Sequence, residues 1–170
     1  MEIFGKSLSR LRALLDLEYK GLIISPIVTH SQELDETFIQ DIDKIFQWLT
    51  KHIEVKFIHL NLSIEQARVP SFSNEMSYLD YRKNCQNMFQ MMQHLPQVIL
   101  TSFEGSFEAQ WCEFLYHSNF STCDSDTTFA FNHIQKGMMP FSSVTHGQET
   151  WVKNNLITGR TVGPNEIRQR

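Results

Sequence analysis

Hydrophobic positions change period several times along this chain. Leu14 to Glu18 and Leu22 to Val28 flank the turn Tyr19-Lys20-Gly21, which predicts two strands joined tightly. Leu8, Leu11 and Leu15 also share a helical face, so a helix over Ser7 to Leu15 competes locally. Thr29 to Glu33 is polar and reads as a loop. From Asp35, the spacing of Phe38, Ile42, Ile45, Phe46 and Leu49 predicts an amphipathic helix. Val55 to Leu62 alternates and predicts a strand; Ile64 to Asn74, with Pro70, reads as irregular. Glu75 to His94 predicts a long helix with Tyr78, Tyr81, Cys85, Met88, Phe89 and Met92 on one side, ended by Pro96.

The second half repeats the alternation. Val98 to Phe103 predicts a strand, and Gly105 a turn leading into a helix over Ala109 to His117. Phe120 to Cys123 and Thr127 to Phe131 predict short strands around an Asp-rich turn, and Lys136 to Pro140 a loop. Trp151 to Ile157 and Pro164 to Gln169 predict short helices. The order β–β–α–β–α–β–α points to an α/β fold with right-handed crossovers. No repeat, low-complexity tract or linker divides the chain, so residues 1–170 are expected to form one domain.

Composition narrows the function classes. The 170 residues are 41% hydrophobic, enough for a packed core, and the net charge of −4 gives no basic footprint for nucleic acid. No apolar run is long enough to cross a membrane, and the N-terminus has no signal-peptide pattern. Cys85, Cys112 and Cys123 are odd in number and lack metal-ligand spacing, so free thiols in a reducing cytoplasm are expected.

Candidate chemistry lies where strand meets helix, over Glu104 to Leu115. Such a junction is a place to stabilise developing negative charge. Elsewhere, His94 and His117 have no second ligand at i+3 or i+4, and no metal is expected. Asp124-Ser125-Asp126 lacks the rest of a calcium loop and reads as a turn. Ser106 with His133 lacks the flanking signature of a serine hydrolase.

Several segments in order resemble the crotonase superfamily, the enoyl-CoA hydratase/isomerase group. Leu95-Pro96-Gln97-Val98-Ile99-Leu100 is similar to that family's K-P-V-I-A-A strand, and Glu104-Gly105 to its N-G or E-G turn. Trp111-Cys112-Glu113-Phe114-Leu115 is similar to its G-C-E-L-A helix. The run from Thr128 to Pro140 resembles its A-x-F-G-x-P-E-x-x-x-G-x-x-P stretch, and Leu156 to Val162 its L-L-T-G-R-x-I segment. Val69-Pro70-Ser71-Phe72-Ser73 stands where the family has R-A-F-S-A-G-A-D.

The resemblance implies a crotonase-like (ClpP/crotonase) spiral of ββα units and, by analogy, a homotrimer. The chain ends at Arg170, before the family's usual C-terminal helical region. It implies a coenzyme A or acyl-carrier thioester as ligand, with no other cofactor. It implies an oxyanion hole from the backbone N–H groups of Asn74 and Gln110. Glu113 and His133 fall on the two acid/base positions, where hydratases of the family carry two glutamates. Phe72, Phe107 and Trp111 are candidate walls for the acyl group, core packing being the other role for Phe107 and Trp111.

The sequence departs from the family where that chemistry is done. Glu108-Ala109-Gln110-Trp111 replaces a glycine-rich stretch, and Asn74-Glu75-Met76-Ser77 replaces alanine-glycine-alanine-aspartate. Bulk and negative charge are therefore expected where a thioester carbonyl would dock. Lys20, Arg68, Arg82 and Lys83 are the candidate partners for the phosphates of coenzyme A by charge alone. Two readings follow: a catalytically degenerate member that acts by binding or regulating a partner protein, and an active thioester hydratase, isomerase or lyase using Glu113 and His133.

Overall fold

The computed structural model describes residues 2–4, 7–140 and 158–168. Strands β1 (Leu11–Asp16) and β2 (Gly21–Pro26) form an antiparallel hairpin. The hairpin starts and ends earlier than the hydrophobic runs suggest. Leu11 and Ala13 lie on its buried face, so the leucine spacing that mimicked a helix over Ser7 to Leu15 belongs partly to a strand. A short β3 (Ser31–Glu33) occupies the stretch expected to be loop, because its backbone pairs with the far end of β4.

Helix α1 (Glu36–Leu49) begins at Asp35, whose side chain accepts from Phe38 N at 2.8 Å. Its apolar stripe, including Phe38, Ile42, Ile45 and Phe46, is fully buried. Strand β4 (Phe57–Arg68) follows and buries Ile58, Leu60, Leu62 and Ile64 on one face. It runs six residues beyond the expected Leu62. Its polar tail is a strand because β3 and β5 pair with it on either side.

Helix α2 (Glu75–His94) is capped by Asn74, which accepts from Ser77 N at 2.9 Å, and Leu95-Pro96 ends it. Strand β5 (Val98–Glu108) continues straight through Gly105. Here the expected turn is corrected. Gly105 has φ +114, and a Cβ on it would lie 1.9 Å from the Ile64 carbonyl oxygen. The glycine lets β5 approach β4 where the register slips between Ile64 and Gln66.

This register slip divides both long strands by their pairing partners. Below it, β4 pairs with β2, and β5 pairs with β6 (Phe120–Cys123). Above it, β4 pairs with β3, and β5 pairs with β7 (Thr128–Ala130), which is antiparallel to β8 (Thr161–Val162). Between β5 and β6 lie a 3-10 segment (Ala109–Glu113) and α3 (Phe114–His117), where one continuous helix was expected. The last described element is α4 (Pro164–Arg168); the helix expected over Trp151 to Ile157 lies outside the described residues. No described helix is long and apolar enough to cross a membrane.

Candidate functional site

The chain reverses at Ala109, four residues after the glycine expected to do so. Ala109 has φ +45, a left-handed conformation that costs an L-residue about 1–2 kcal/mol. The following 3-10 turn eclipses side chains at i and i+3, which sets Gln110 and Glu113 on one side. His117 follows Glu113 by one helical turn and joins that side.

Glu113 is the centre of an enclosed polar cluster. Its Oε1 lies 3.4 Å from His133 Nε2, and its Oε2 lies 3.9 Å from His117 Nε2. The three side chains are 1%, 1% and 6% exposed for Glu113, His133 and His117. The His117 ring also stacks on Phe89 at 4.7 Å. The loop after β7 brings His133 in, and it is braced by Lys136 N and Met138 N donating to the His133 carbonyl. His117 was the member least legible in sequence. Its only signal was the i, i+4 spacing from Glu113.

Helix α2 supplies the apolar wall through Tyr81 and Cys85, one turn apart and both buried. Burial pushes the Tyr81 hydroxyl well above the usual tyrosine range, with the neighbouring Cys85, Tyr78 and Glu113 adding to it. Burial likewise raises the Cys85 thiol to about 12, with smaller additions from Glu113 and Asp43. Cys112 is pushed up by burial, then by Glu113 and Glu108. Three acidic groups thus feel Glu113 as added negative potential in a dry surrounding.

The two proposed amide donors are placed differently. Asn74 is exposed at the start of α2, where its side chain is engaged as the cap. Gln110 is 0% exposed, and neither atom of its side-chain amide has a hydrogen-bond partner among the described residues. Glu108 does not stand free at the helix start. Its Oε1 accepts from Val69 N at 3.0 Å and from Lys136 Nζ at 2.8 Å, tying β5 to the end of β4 and to the loop carrying His133. The expected bare negative charge there is therefore corrected to a paired one.

The candidate acyl walls also separate. Trp111 is 0% exposed; its Nε1 donates to the Arg68 carbonyl at 2.7 Å and its ring packs on Phe38 at 5.0 Å. Phe107 is enclosed by Phe103, Phe129 and Trp111. Both occupy core positions. Phe72 alone borders open space, between a groove of about 440 Å³ with Pro70, Tyr78 and Lys136, and one of about 490 Å³ with Ile39, Tyr81 and Lys83.

Other sequence candidates do not converge. Lys20 lies beside the first residue of β4, and Arg68 is its last, on the order of 30 Å along the strand. Lys83 shares its groove with Asp35, Glu36 and Asp80. Ser106 accepts from Thr128 Oγ1 on the exposed side of β5, whereas His133 is buried on Glu113. His94 Nδ1 contacts the Gln90 carbonyl. Asp124 to Asp126 is a turn, closed by Thr127 N donating to the Asp124 carbonyl. Among the described residues, no three His, Cys, Asp or Glu side chains are arranged to hold a metal ion.

The overall architecture is shared with solved structures. An enoyl-CoA hydratase from Bacillus anthracis superposes with TM-score 0.82 at 13% identity, over 95% of this chain and 67% of that one. One from Shewanella pealeana gives 0.79 at 11% identity, over 96% and 66%. One from Mycobacterium smegmatis gives 0.75 at 15% identity, over 94% and 66%. This chain has the crotonase fold. It spans about two thirds of the length of the solved crotonase-fold structures it matches. No protein-family profile and no curated protein matches its sequence. The crotonase likeness is therefore one of fold, carried by backbone geometry at identities where few side chains are shared.

Proposed function

We propose that this crotonase-fold protein does not turn over enoyl-CoA thioesters efficiently and works instead through binding, as a regulatory or scaffolding partner. The observation that carries this reading is the enclosure of Glu113, at 1% exposure, beside a fully buried Gln110. Enolate chemistry needs a carbonyl oxygen against main-chain donors at the position where charge grows, with the acid/base groups in reach. Here burial, with a smaller addition from Glu113, raises three neighbouring acidic groups, so the surrounding disfavours an added anion.

Charge in the open grooves supports the same reading. A coenzyme A ligand carries several phosphate charges. Lys136 is committed to Glu108, and Lys83 shares its groove with Asp35, Glu36 and Asp80, so the described groove residues offer little to bind them.

The second reading is an active thioester hydratase, isomerase or lyase with Glu113 as base and His133 as acid. The 3.4 Å approach of the two side chains favours it. Steady-state hydration assays with short, medium and long enoyl-CoA thioesters separate the readings. The binding reading expects no enzyme-dependent rate. Robust hydration that disappears in Glu113→Gln establishes the catalytic one.

A further inference from the structure

The face of the sheet turned away from the buried side chains of α1 and α2 carries a polar constellation separate from Glu113. The outward side chains alternate with the buried set: His59 and Asn61 on β4, Leu100 and Ser102 on β5, Phe120 and Thr122 on β6. His59 Nε2 lies 2.7 Å from Ser102 Oγ, and Thr122 Oγ1 donates to that same oxygen at 3.0 Å. A serine hydroxyl has one proton and two acceptor sites. In the tautomer whose proton sits on Nδ1, the Ser102 hydroxyl donates to His59 Nε2 while accepting from Thr122. That is the arrangement of a nucleophile with its base.

The surroundings supply the remaining parts. Ile23 and Leu100 stand in register on either side of His59, and Phe120 follows Leu100, giving an apolar surface beside the serine. Partial burial holds the His59 imidazole below the usual histidine range, which favours the neutral form that can accept a proton. Asn61 is in register with Ser102 on the same face, where its amide can donate to an oxygen bound at the serine's reaction partner.

We propose that Ser102, with His59 as its general base, is a reactive serine that accepts the acyl group of small activated esters. Ser102 Oγ bonds to the ester carbonyl carbon while its proton passes to His59 Nε2. The carbon–oxygen bond to the alcohol then breaks, and His59 returns the proton to the departing alkoxide. Water attacks the acyl-serine in the same way, releasing the carboxylic acid and restoring the hydroxyl.

The test is labelling of the intact chain with a fluorophosphonate probe, mapped by peptide mass spectrometry, together with release of p-nitrophenol from p-nitrophenyl acetate. The expected result is modification at Ser102 and not at Ser63, Ser106 or Ser121. Ser102→Ala abolishes it, and His59→Gln slows it by about a hundredfold or more, the scale of general-base assistance. Ser106→Ala, at a serine of the same strand that is hydrogen-bonded to Thr128, leaves it unchanged. Thermal melts confirm that each variant is folded, since both sites are on the sheet surface. Absence of label on Ser102, equal labelling of the other serines, or an unchanged rate in His59→Gln overturns the proposal.

Discussion

Replacing Glu108 tests whether that carboxylate is a structural clamp. Its Oε1 accepts from Val69 N, and Val69 is 7% exposed, so this amide cannot turn to water when the carboxylate is removed. Losing a charged acceptor for a buried N–H costs about 1.5–3 kcal/mol. The Lys136 contact is half open to solvent, with side chains 35% and 20% exposed, and is worth about 0–1 kcal/mol. Glu108→Ala should therefore destabilise by about 1.5–4 kcal/mol. Glu108→Gln keeps an amide oxygen for Val69 N and loses only charge, so about 1 kcal/mol or less is expected. Lys136→Met should resemble Glu108→Gln. Equilibrium urea unfolding of the four proteins, compared at constant m, gives these differences. Equal costs for Glu108→Ala and Glu108→Gln, or a cost for Glu108→Ala below about 0.5 kcal/mol, would refute the clamp.

Three further outcomes are expected. Gly105→Ala should cost at least about 3 kcal/mol, because φ is +114 and the added carbon meets the Ile64 carbonyl, whereas Gly137→Ala, with open space around it, should cost about 1–2 kcal/mol; unfolding curves rank the two. At pH 8, Cys123 should react first with a thiol reagent, while Cys85, with its thiol at about 12 against an ordinary 9.0, holds about a thousandfold less thiolate and should wait for unfolding. Asp43 has its carboxyl raised by burial, and its Oδ1 has no hydrogen-bond partner among the described residues, so its folded state favours the proton. Its penalty is absent below the unfolded value, 3.8, and grows as pH rises through the folded one; Asp43→Asn should stabilise at neutral pH and lose that advantage in acid, as pH-dependent melts will read.

Elements with their own local signals were legible in the sequence. The apolar stripe starting after Asp35 placed α1, and the apolar face from Tyr78 to Met92 with Pro96 placed α2, whereas its Asn74 cap emerged only in the structure. The register slip was not legible. Gly105 looks the same in sequence whether it makes a turn or lets two strands touch, and only the Ile64 carbonyl decides between them. The tail of β4 and the whole of β3 are polar and became strands through pairing that no local pattern encodes. In the site, the Glu113–His133 approach followed from family spacing, but the direction of Trp111 did not. Its indole turns to the Arg68 carbonyl and Phe38, a choice set by the 3-10 turn rather than by an α-helix. Glu108 was legible as a charge, and its partners Val69 and Lys136, 39 and 28 residues away, were not.

The most direct test of the account is a crystal structure of the protein grown with a saturating non-hydrolysable acyl-CoA analogue. The account predicts Gln110, Glu113 and His133 still enclosed, with no thioester carbonyl beside them. A carbonyl oxygen held within hydrogen-bonding distance of the Asn74 and Gln110 N–H groups, with Glu113 against the acyl chain, would contradict it.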